Sequence, residues 1–384
     1  MNGRSFKLFT VFGMPIRIHV TWFVVFALIT WSLAVAWFPH HGPMPSRELP
    51  AAVHWVMAAM AALLLFGSVL LHELGHSFLA RHHRIPVRGI TLFFFGGVAE
   101  IGEEPESPRA EVEVTLAGLA VSATLAVAAL LVLRALPTTT TLLRATAGVV
   151  HYLMFINVAV LVFNAVPGFP LDGGRLLRAF LWWTTGDLRR ATYIASSVGS
   201  GVGLALIIVG VLMALTVDVI GGVWFALIGT FLRSAARNTY QQLLLRRALE
   251  GVPVGELMSP DVVCMPAETP LREAVDEWFL RFRYDGFPVC GPDGLEGMLT
   301  LDNVRAVKPE RWQDTTIGQA MDRRAPEYAV PPHMDAMHVL ARMSQLDVGC
   351  IPVVQDGHLV GMVTRRDLLE LLRLKTDLEE LQAR

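Results

Sequence analysis

Charged residues are scarce in this 384-residue sequence, where they make up 17% of the chain, against about 25% in ordinary soluble domains. The deficit is confined to residues 1–240, which are strongly apolar, whereas residues 241–384 have a normal soluble composition. The sequence therefore predicts a polytopic α-helical membrane domain followed by a soluble α/β domain.

An excess of basic residues is also absent. The chain carries 32 Lys and Arg against 34 Asp and Glu, which gives a net charge of −2. A nucleic-acid binder needs a basic face, so we expect no nucleic-acid partner.

Cysteine is rare as well. The three cysteines, Cys264, Cys290 and Cys350, all lie in the soluble half, and none forms a C-x-x-C pair. An odd, small number favours a reduced, cytosolic compartment over a disulfide framework. We expect each of them to be a small buried apolar group.

Six apolar runs of the first half predict membrane spans. The first run has about 19 residues, longer than the usual hydrophobic region of a signal peptide, so we expect it to be retained. The sixth is short. The runs are Val20–Phe38, Ala51–Leu71, Val112–Leu133, Ala147–Val166, Ile194–Val217 and Val219–Leu232.

Arginines mark one side of this predicted bundle. They cluster in the second and fourth loops and after the last span, while the other loops hold few. Positive loops stay in the cytosol, which predicts a multi-pass cell-membrane protein with both termini and the soluble half cytosolic. The marking residues are Arg81, Arg84, Arg88, Arg109, Arg175, Arg178, Arg189, Arg190, Arg233, Arg237, Arg246 and Arg247.

The second apolar run ends in H-E-L-G-H, residues 72–76. On a helix, His72 and His76 lie one turn apart on one face, so both imidazoles can reach one zinc ion. Glu73 is placed beside them to accept a proton from a water at that ion. The alternative is a chance pentapeptide at a helix end. Ionisable groups at this depth are costly, which favours a function.

The fourth run ends in an irregular segment that holds Pro167, Pro170 and Asp172. Two prolines break the helix, and irregular backbone at membrane depth is tolerated only where it is buried in protein or lines a cavity. A catalytic zinc needs a third protein ligand, and Asp172 is the obvious candidate. Its alternative role is to cap the following helix. Residues Arg175–Trp183 mix arginines with apolar side chains, which predicts that this helix is short and lies at the membrane interface.

Further candidates surround these two motifs. Asn157 and Asn164 lie seven residues apart on one helical stripe, where they could contact substrate or a developing oxyanion. Hydrogen bonds between helices are their alternative role. Residues 92–100 hold strand formers around Gly96 and Gly97, which predicts a hairpin dipping into the membrane with these glycines at its turn. A substrate could add to this hairpin as a strand, so both glycines are candidates for substrate contact. A plain interfacial loop is the alternative.

The soluble half contains an internal repeat. Phe287-Pro288-Val289 matches Ile351-Pro352-Val353, and G-M-L-T at 297–300 matches G-M-V-T at 361–364, with the same offset of about 64 residues. A constant offset indicates a duplicated unit, which we place at residues 250–308 and 314–374. Each copy predicts a strand, a helix, two strands joined by a turn, and a second helix.

The order H-E-L-G-H, F-G-G and N-x-x-P-x-x-P-L-D-G-G resembles the site-2 protease family of intramembrane zinc metalloproteases across residues 1–240. The resemblance implies one zinc held by His72, His76 and Asp172, and Glu73 as general base. It also implies regulated intramembrane proteolysis of a single-span membrane protein, cut within its membrane helix. In one departure, Leu119 follows Gly118 where the family often has proline.

The duplicated unit resembles a tandem pair of CBS domains, which implies an adenine nucleotide. By this resemblance Thr300 and Thr364 would bind phosphate, and Asp367 would bind ribose hydroxyls. Asn303 stands in the matching position of the first copy. A purely structural role, such as homodimerisation through the repeats, is the alternative.

Two rival functions stay open at this stage. Glu73-x-x-His76 is also the spacing of a di-iron carboxylate bundle, but that site needs a second E-x-x-H and the sequence has none. A transporter gated by CBS domains would explain the broken helices. It leaves the pairing of H-E-L-G-H with Asp172 as coincidence.

Overall fold

The computed structural model describes residues 5–41, 49–93, 96–101, 104–137, 139–260, 262–282, 284, 286–292, 294–371 and 374. The chain divides into two compact units, Met1–Tyr240 and Gln241–Arg384. The first is built mainly of long apolar helices and the second of short helices and small sheets. The predicted fold class, a helical membrane domain followed by a soluble α/β domain, is confirmed.

The described part of the first unit contains four strands, seven helices and most of an eighth, α8, which ends beyond Tyr240. Helix α1 continues through a π-helical turn, Leu33–Trp37, into α2. The elements are β1 (Ser5–Val11), β2 (Met14–His19), α1 (Thr21–Ser32), α2 (Phe38–His41), α3 (Ala51–His82), β3 (Val87–Phe93), β4 (Gly96–Ile101), α4 (Pro108–Ala135), α5 (Thr141–Asn164), α6 (Asp172–Thr185), α7 (Leu188–Thr216) and α8 (Val219–Leu249).

Five helical segments are long and apolar enough to cross a membrane. They are Thr21–His40, Ala51–His82, Pro108–Ala135, Thr141–Asn164 and Leu188–Thr216. The sixth expected span, Val219–Leu232, is not confirmed. Its residues form the first half of α8, which then runs on through Arg233 and Arg237. Fourteen helical residues rise about 21 Å, less than the roughly 30 Å of a hydrocarbon core.

Helix α3 is the centre of the membrane unit. Its buried residues recur three or four apart, and the same stripe passes through small residues to His72 and His76. Small side chains let helices approach closely, which is how membrane helices pack. Gly148 of α5, for example, leaves room for the end of the Met57 side chain. The packing of α3 against its neighbours therefore brings the histidines into the interior.

A four-stranded sheet lies beside α3 in the order β1-β2-β3-β4. Strands β1 and β2, like β3 and β4, are antiparallel, whereas β2 and β3 run parallel. The antiparallel hairpin is confirmed and its depth in the membrane stays a prediction, but the expected Gly-Gly turn is wrong. Gly96 pairs with Phe93 and Gly97 with Leu92, so both glycines belong to β4. Residues 94–95 lie outside the described part of the chain.

The second unit repeats one arrangement twice. Strand β5 pairs with β6 as β7 pairs with β8, and Pro288↔Met298 has the same register as Pro352↔Met362. Two short 3-10 helices and a π-helix, Ala274–Phe279, complete it. The other elements are α9 (Leu271–Glu273), α10 (Leu280–Phe282), β5 (Gly286–Gly291), β6 (Gly294–Thr300), α11 (Leu301–Ala306), α12 (Ile317–Ala320), α13 (Ala325–Tyr328), α14 (Ala336–Leu346), β7 (Cys350–Gln355) and β8 (His358–Thr364).

The expectation of three unpaired cysteines is wrong for two of them. Cys264 and Cys290 form a disulfide, because the neighbouring residue Met265 bridges to Val289 of β5 and brings the two chain segments side by side. Cys350 forms no disulfide and is buried, as expected.

Candidate metal centre

Two helices bring three potential metal ligands together. Helix α3 presents His72 and His76, and the first residue of α6 is Asp172. The Nε2 atoms of the two histidines are 3.0 Å apart. Asp172 Oδ2 lies 3.1 Å from His72 Nε2 and 3.2 Å from His76 Nε2. All three residues are buried, with 4 to 8% of their surface exposed.

This donor set fits a zinc ion. Zinc bonds of about 2.0–2.1 Å in a tetrahedron place ligand atoms about 3.3 Å apart, close to the observed triangle of 3.0 to 3.2 Å. Two imidazoles and one carboxylate also leave a fourth position for water or substrate, as catalytic zinc requires. Within the described ranges, this is the one group of His, Cys, Asp or Glu found able to hold a metal.

The chain turns sharply to deliver Asp172. Helix α5 ends at Asn164, and the segment before α6 includes a cis peptide at Phe169–Pro170. Leu171 occupies the N-cap position of α6 and makes no side-chain cap bond. The alternative role of Asp172 as a helix cap is therefore wrong, because its carboxylate points to the histidines. A Cβ on Gly174 would overlap the backbone of Gly168, so glycine permits this close turn.

Helix α4 orients both histidines from behind. Ser122 Oγ lies 2.9 Å from His72 Nδ1, and the Val114 carbonyl oxygen lies 2.8 Å from His76 Nδ1. When each Nδ1–H donates to these oxygens, each Nε2 is free to bind metal, an arrangement typical of zinc sites. A Cβ on Gly118 would overlap the His76 ring, so this position requires glycine.

Sequence reasoning missed the orienting residues of α4. Ser122 is a polar residue within an apolar span, and it follows Gly118 and Val114 at intervals of four residues. That spacing places all three on one helix face. Ser122 and this spacing could therefore have indicated the helix face, but a sequence does not show that the backbone carbonyl of Val114 contacts a histidine.

A cavity of about 400 Å³ opens beside the triangle. Glu73 lines it together with Asn164, Gly96 and Gly97. A Cβ on Gly97 would come within 2.7 Å of Glu73 Cγ, so the backbone of β4 passes directly against this side chain. Helix α8 also contributes to the wall, through Ile228, Phe231 and Leu232.

The two asparagines of α5 have different surroundings. Asn157 is 1% exposed, and its Nδ2 donates to Ser68 Oγ at 3.2 Å and to the Leu153 carbonyl at 2.8 Å. The contact with Ser68 joins α5 to α3, and Asn157 does not belong to the cavity wall that the structure describes. Asn164 does line the cavity, so of the pair it alone stands where a substrate could be contacted.

The candidate nucleotide residues form local helix caps. Thr300 and Asn303 make a capping box at α11. Thr364 donates from its backbone nitrogen and from Oγ1 to Asp367 Oδ2, both at 2.8 Å. A separate cavity of about 350 Å³ in this unit is lined by none of these four. Its walls are Asp322, Arg324, Glu327, Tyr328, Arg342, Gln345, Leu346 and Val348.

Known proteins resemble both halves of the chain. The model of peptidase family M50 matches residues 60–147 and 139–210, and the CBS domain model matches residues 254–310 and 315–374. Rip3 of Mycobacterium tuberculosis, named as a zinc metalloprotease, is 33% identical over 94% of this chain and 91% of its own length.

A second relative covers nearly the whole chain. Zinc metalloprotease MJ0392 of Methanocaldococcus jannaschii is 27% identical over 98% of this chain and 99% of its own length. The solved site-2 protease from that organism covers 62% of this chain and 95% of its own, with 26% identity and a TM-score of 0.42. The peptidase family model and the similarity to Rip3 set aside the di-iron and transporter interpretations. The chain belongs to peptidase family M50, the site-2 proteases, and is a multi-pass membrane zinc metalloprotease with two CBS domains.

Proposed function

We propose that this protease cuts the membrane-spanning helix of single-span substrate proteins, and that an adenine nucleotide at its CBS domains modulates the reaction. One observation carries the proposal. His72, His76 and Asp172 converge within 3.2 Å on α3 and α6, beside a cavity lined by Glu73 and the edge strand β4. The proposal keeps residues 1–240 as the catalytic domain and residues 250–308 and 314–374 as the two CBS repeats.

Each polar group of the site has a role in this proposal. His72, His76 and Asp172 would hold the zinc, which when bound lowers the pKa of water and polarises a carbonyl. Glu73 accepts a proton from the attacking water and returns it to the leaving amine. The Asn164 side chain donates to the oxygen of the scissile carbonyl as negative charge develops there.

The neighbouring sheet suggests how the substrate is held. A helix hides its carbonyls in its own hydrogen bonds, so the substrate must unwind before hydrolysis. Strand β4 is an edge of the described sheet, and extended peptides add readily to such edges. Because β4 passes against Glu73, a strand added there would run beside the reacting groups.

Metal removal tests the proposal. The full-length protein in nanodiscs is incubated with tagged single-span proteins whose spans contain Gly or Asn, and fragments are identified by mass spectrometry. We expect cleavage inside the span, abolished by a chelator and restored by one equivalent of zinc. Cleavage only in the soluble parts of every substrate, or cleavage indifferent to the chelator, would contradict the proposal.

Gly97→Ala is expected to slow cleavage about tenfold while zinc content stays unchanged. The added methyl would meet Glu73 Cγ at 2.7 Å, which pushes β4 and its bound substrate away from the general base. A displacement of the substrate by about 1 Å can lower the rate by up to about 100-fold. Gly201→Ala, in α7 where nothing lies within 4 Å of an added Cβ and the backbone is helical, serves as control. Wild-type rates for Gly97→Ala would refute the strand-addition hypothesis.

The membrane orientation rests on loop charge. From the arginine clusters we propose that both termini and the CBS domains lie in the cytosol. The Cys264–Cys290 disulfide is unusual for that compartment, where thiol systems keep most cysteines reduced. Labelling of the chain's two ends from each side of sealed vesicles tests the orientation.

The cavity of about 350 Å³ in the CBS unit has side chains that suit a nucleotide. Arg324 and Arg342 supply guanidinium donors for phosphate, and the adjacent Arg324 holds the pKa of Asp322 below its usual range. Asp322 therefore stays ionised, and its carboxylate can accept hydrogen bonds from ribose hydroxyls. Burial raises the pKa of Tyr328, so its hydroxyl remains a donor at neutral pH.

ATP binding to the full-length protein should weaken about tenfold in Arg342→Gln, measured by calorimetry in detergent. Arg272→Gln, which removes an exposed arginine of the first repeat, should leave it unchanged. If ATP binding were lost in Asp367→Asn and kept in Arg342→Gln, the nucleotide would instead bind at the Thr364–Asp367 cap. No ATP binding by the wild type would contradict nucleotide modulation and favour a structural or homodimerising role, which light scattering would reveal.

A further inference from the structure

A buried ion-pair cluster joins the start of α4 to α6. Glu111 is fully buried, and Arg178 is 5% exposed. Arg178 Nε and Nη2 lie 2.7 Å and 2.5 Å from Glu111 Oε1, so both N–H groups donate to it. Glu104 adds a weaker contact, with Oε2 at 3.5 Å from Arg178 Nη1. The cluster contains none of the proposed zinc ligands.

The arginine of this pair touches both elements that position Asp172. Arg178 lies on α6, six residues after the aspartate with which that helix begins. Its guanidinium also sits over the ring of Phe169, 5.2 Å from the centroid, and Phe169 belongs to the segment that leads into α6. The helix and the turn before it are therefore fixed through one side chain.

The glutamate of the pair belongs to the helix face that orients the histidines. Glu111, Val114, Gly118 and Ser122 follow one another at intervals of three, four and four residues, so they form one stripe of α4. Val114 and Ser122 hold His76 and His72, and Gly118 makes room for the His76 ring. Through Glu111 the same stripe also reaches the helix of Asp172.

We propose that Glu111 and Arg178 are positioning residues that lock the third zinc ligand against the two histidines. This inference rests on the proposed zinc site. The ion pair is directional and lies out of water, so it sets the position of α6 more sharply than apolar contacts would. Without it each buried charge keeps only a more distant partner, Glu111 the Nε of Arg175 at 4.0 Å and Arg178 the Oε2 of Glu104 at 3.5 Å. Loss of the close pair is destabilising, so α6 shifts on α4 and Asp172 leaves the triangle in which the zinc is held.

The rate of zinc release tests the inference. Full-length wild type, Glu111→Gln, Arg178→Gln and the double variant, in nanodiscs, are mixed with a chromogenic chelator. We expect each single variant to release zinc about tenfold faster, since outer residues of metal sites contribute 10- to 100-fold to affinity. The double variant should be no faster than either single one, because both lose the same contact. Arg109→Gln, which breaks the exposed Arg109–Glu113 pair on the same helix, should match the wild type.

A second readout separates positioning from stability. The zinc-dependent gain in melting temperature should shrink in Arg178→Gln, whereas a merely structural role would lower the metal-free and zinc-loaded values equally. In Arg178→Lys, which keeps the charge but loses the double contact, the zinc-dependent gain in melting temperature should lie between those of wild type and Arg178→Gln. This variant replaces Arg178→Gln in the test if Arg178→Gln does not fold. If these variants released zinc at the wild-type rate, the positioning role of Glu111 and Arg178 would be overturned while the proposed zinc site would stand. Zinc release unaffected by His72→Ala would overturn the proposed site itself.

Discussion

Replacing Glu73 by glutamine is expected to lower the rate of peptide cleavage about 1,000-fold while the protein keeps its zinc. Glutamine has nearly the shape of glutamate but cannot accept a proton, and proton transfer by a positioned group contributes about 10²- to 10⁴-fold. Glu73 lines the cavity beside the three donor atoms without belonging to the triangle. Loss of the base should therefore spare metal binding. Single-turnover cleavage and metal analysis of the same sample measure both quantities.

The comparison with a ligand variant makes this result specific. His72→Ala should lose cleavage and zinc together, whereas Glu73→Gln should lose cleavage alone. Equal loss of zinc in both would make Glu73 a ligand or a structural residue. Cleavage by Glu73→Gln at more than about a tenth of the wild-type rate would assign the proton transfer to another group.

Asp172→Ala is expected to reduce bound zinc from about one ion per chain to nearly none. A catalytic zinc needs three protein ligands, and this change leaves only the two histidines of α3. Asp172 Oδ2 is also within 3.2 Å of both Nε2 atoms, so its removal opens the whole triangle. Mass spectrometry of the intact protein and elemental analysis after dialysis give the metal content.

Asp187 offers a matched control for this prediction. It also stands at the start of a helix, α7, but it caps that helix by accepting hydrogen bonds from the backbone nitrogens of Arg189 and Arg190. Asp187→Ala should keep its zinc and lower the free energy of unfolding by about 1 kcal/mol. Full zinc in Asp172→Ala would break the link between the two sequence motifs and require another third ligand.

Much of the site follows from local rules. The interval between His72 and His76 is one helical turn, so any helix through them places both on one face. Pro167 and Pro170 end the apolar fourth run, and an acidic residue directly after such a break is exceptional at membrane depth. The repeat in the second half is likewise visible as a constant offset between similar motifs. These features need no knowledge of packing.

Other features depend on which faces meet. Asn157 and Asn164 share a stripe of α5, yet one bonds to Ser68 of α3 and the other lines the cavity. Gly96 and Gly97 look like a turn, because glycine is common in turns, but Gly97 is needed where β4 passes Glu73. Strand β1, with its exposed apolar residues, is also recognisable only from its pairing with β2.

The sequence by itself determined the membrane and soluble halves, the helical spacing of the histidines and the two repeats, because composition and periodicity act locally. Tertiary structure alone decided that Asp172, 100 residues from His72, meets the histidines instead of capping its helix. It also decided that α4 supplies the oxygens behind them and that Glu111 reaches Arg178. Such contacts depend on how helices pack in three dimensions, and chain spacing does not encode that packing.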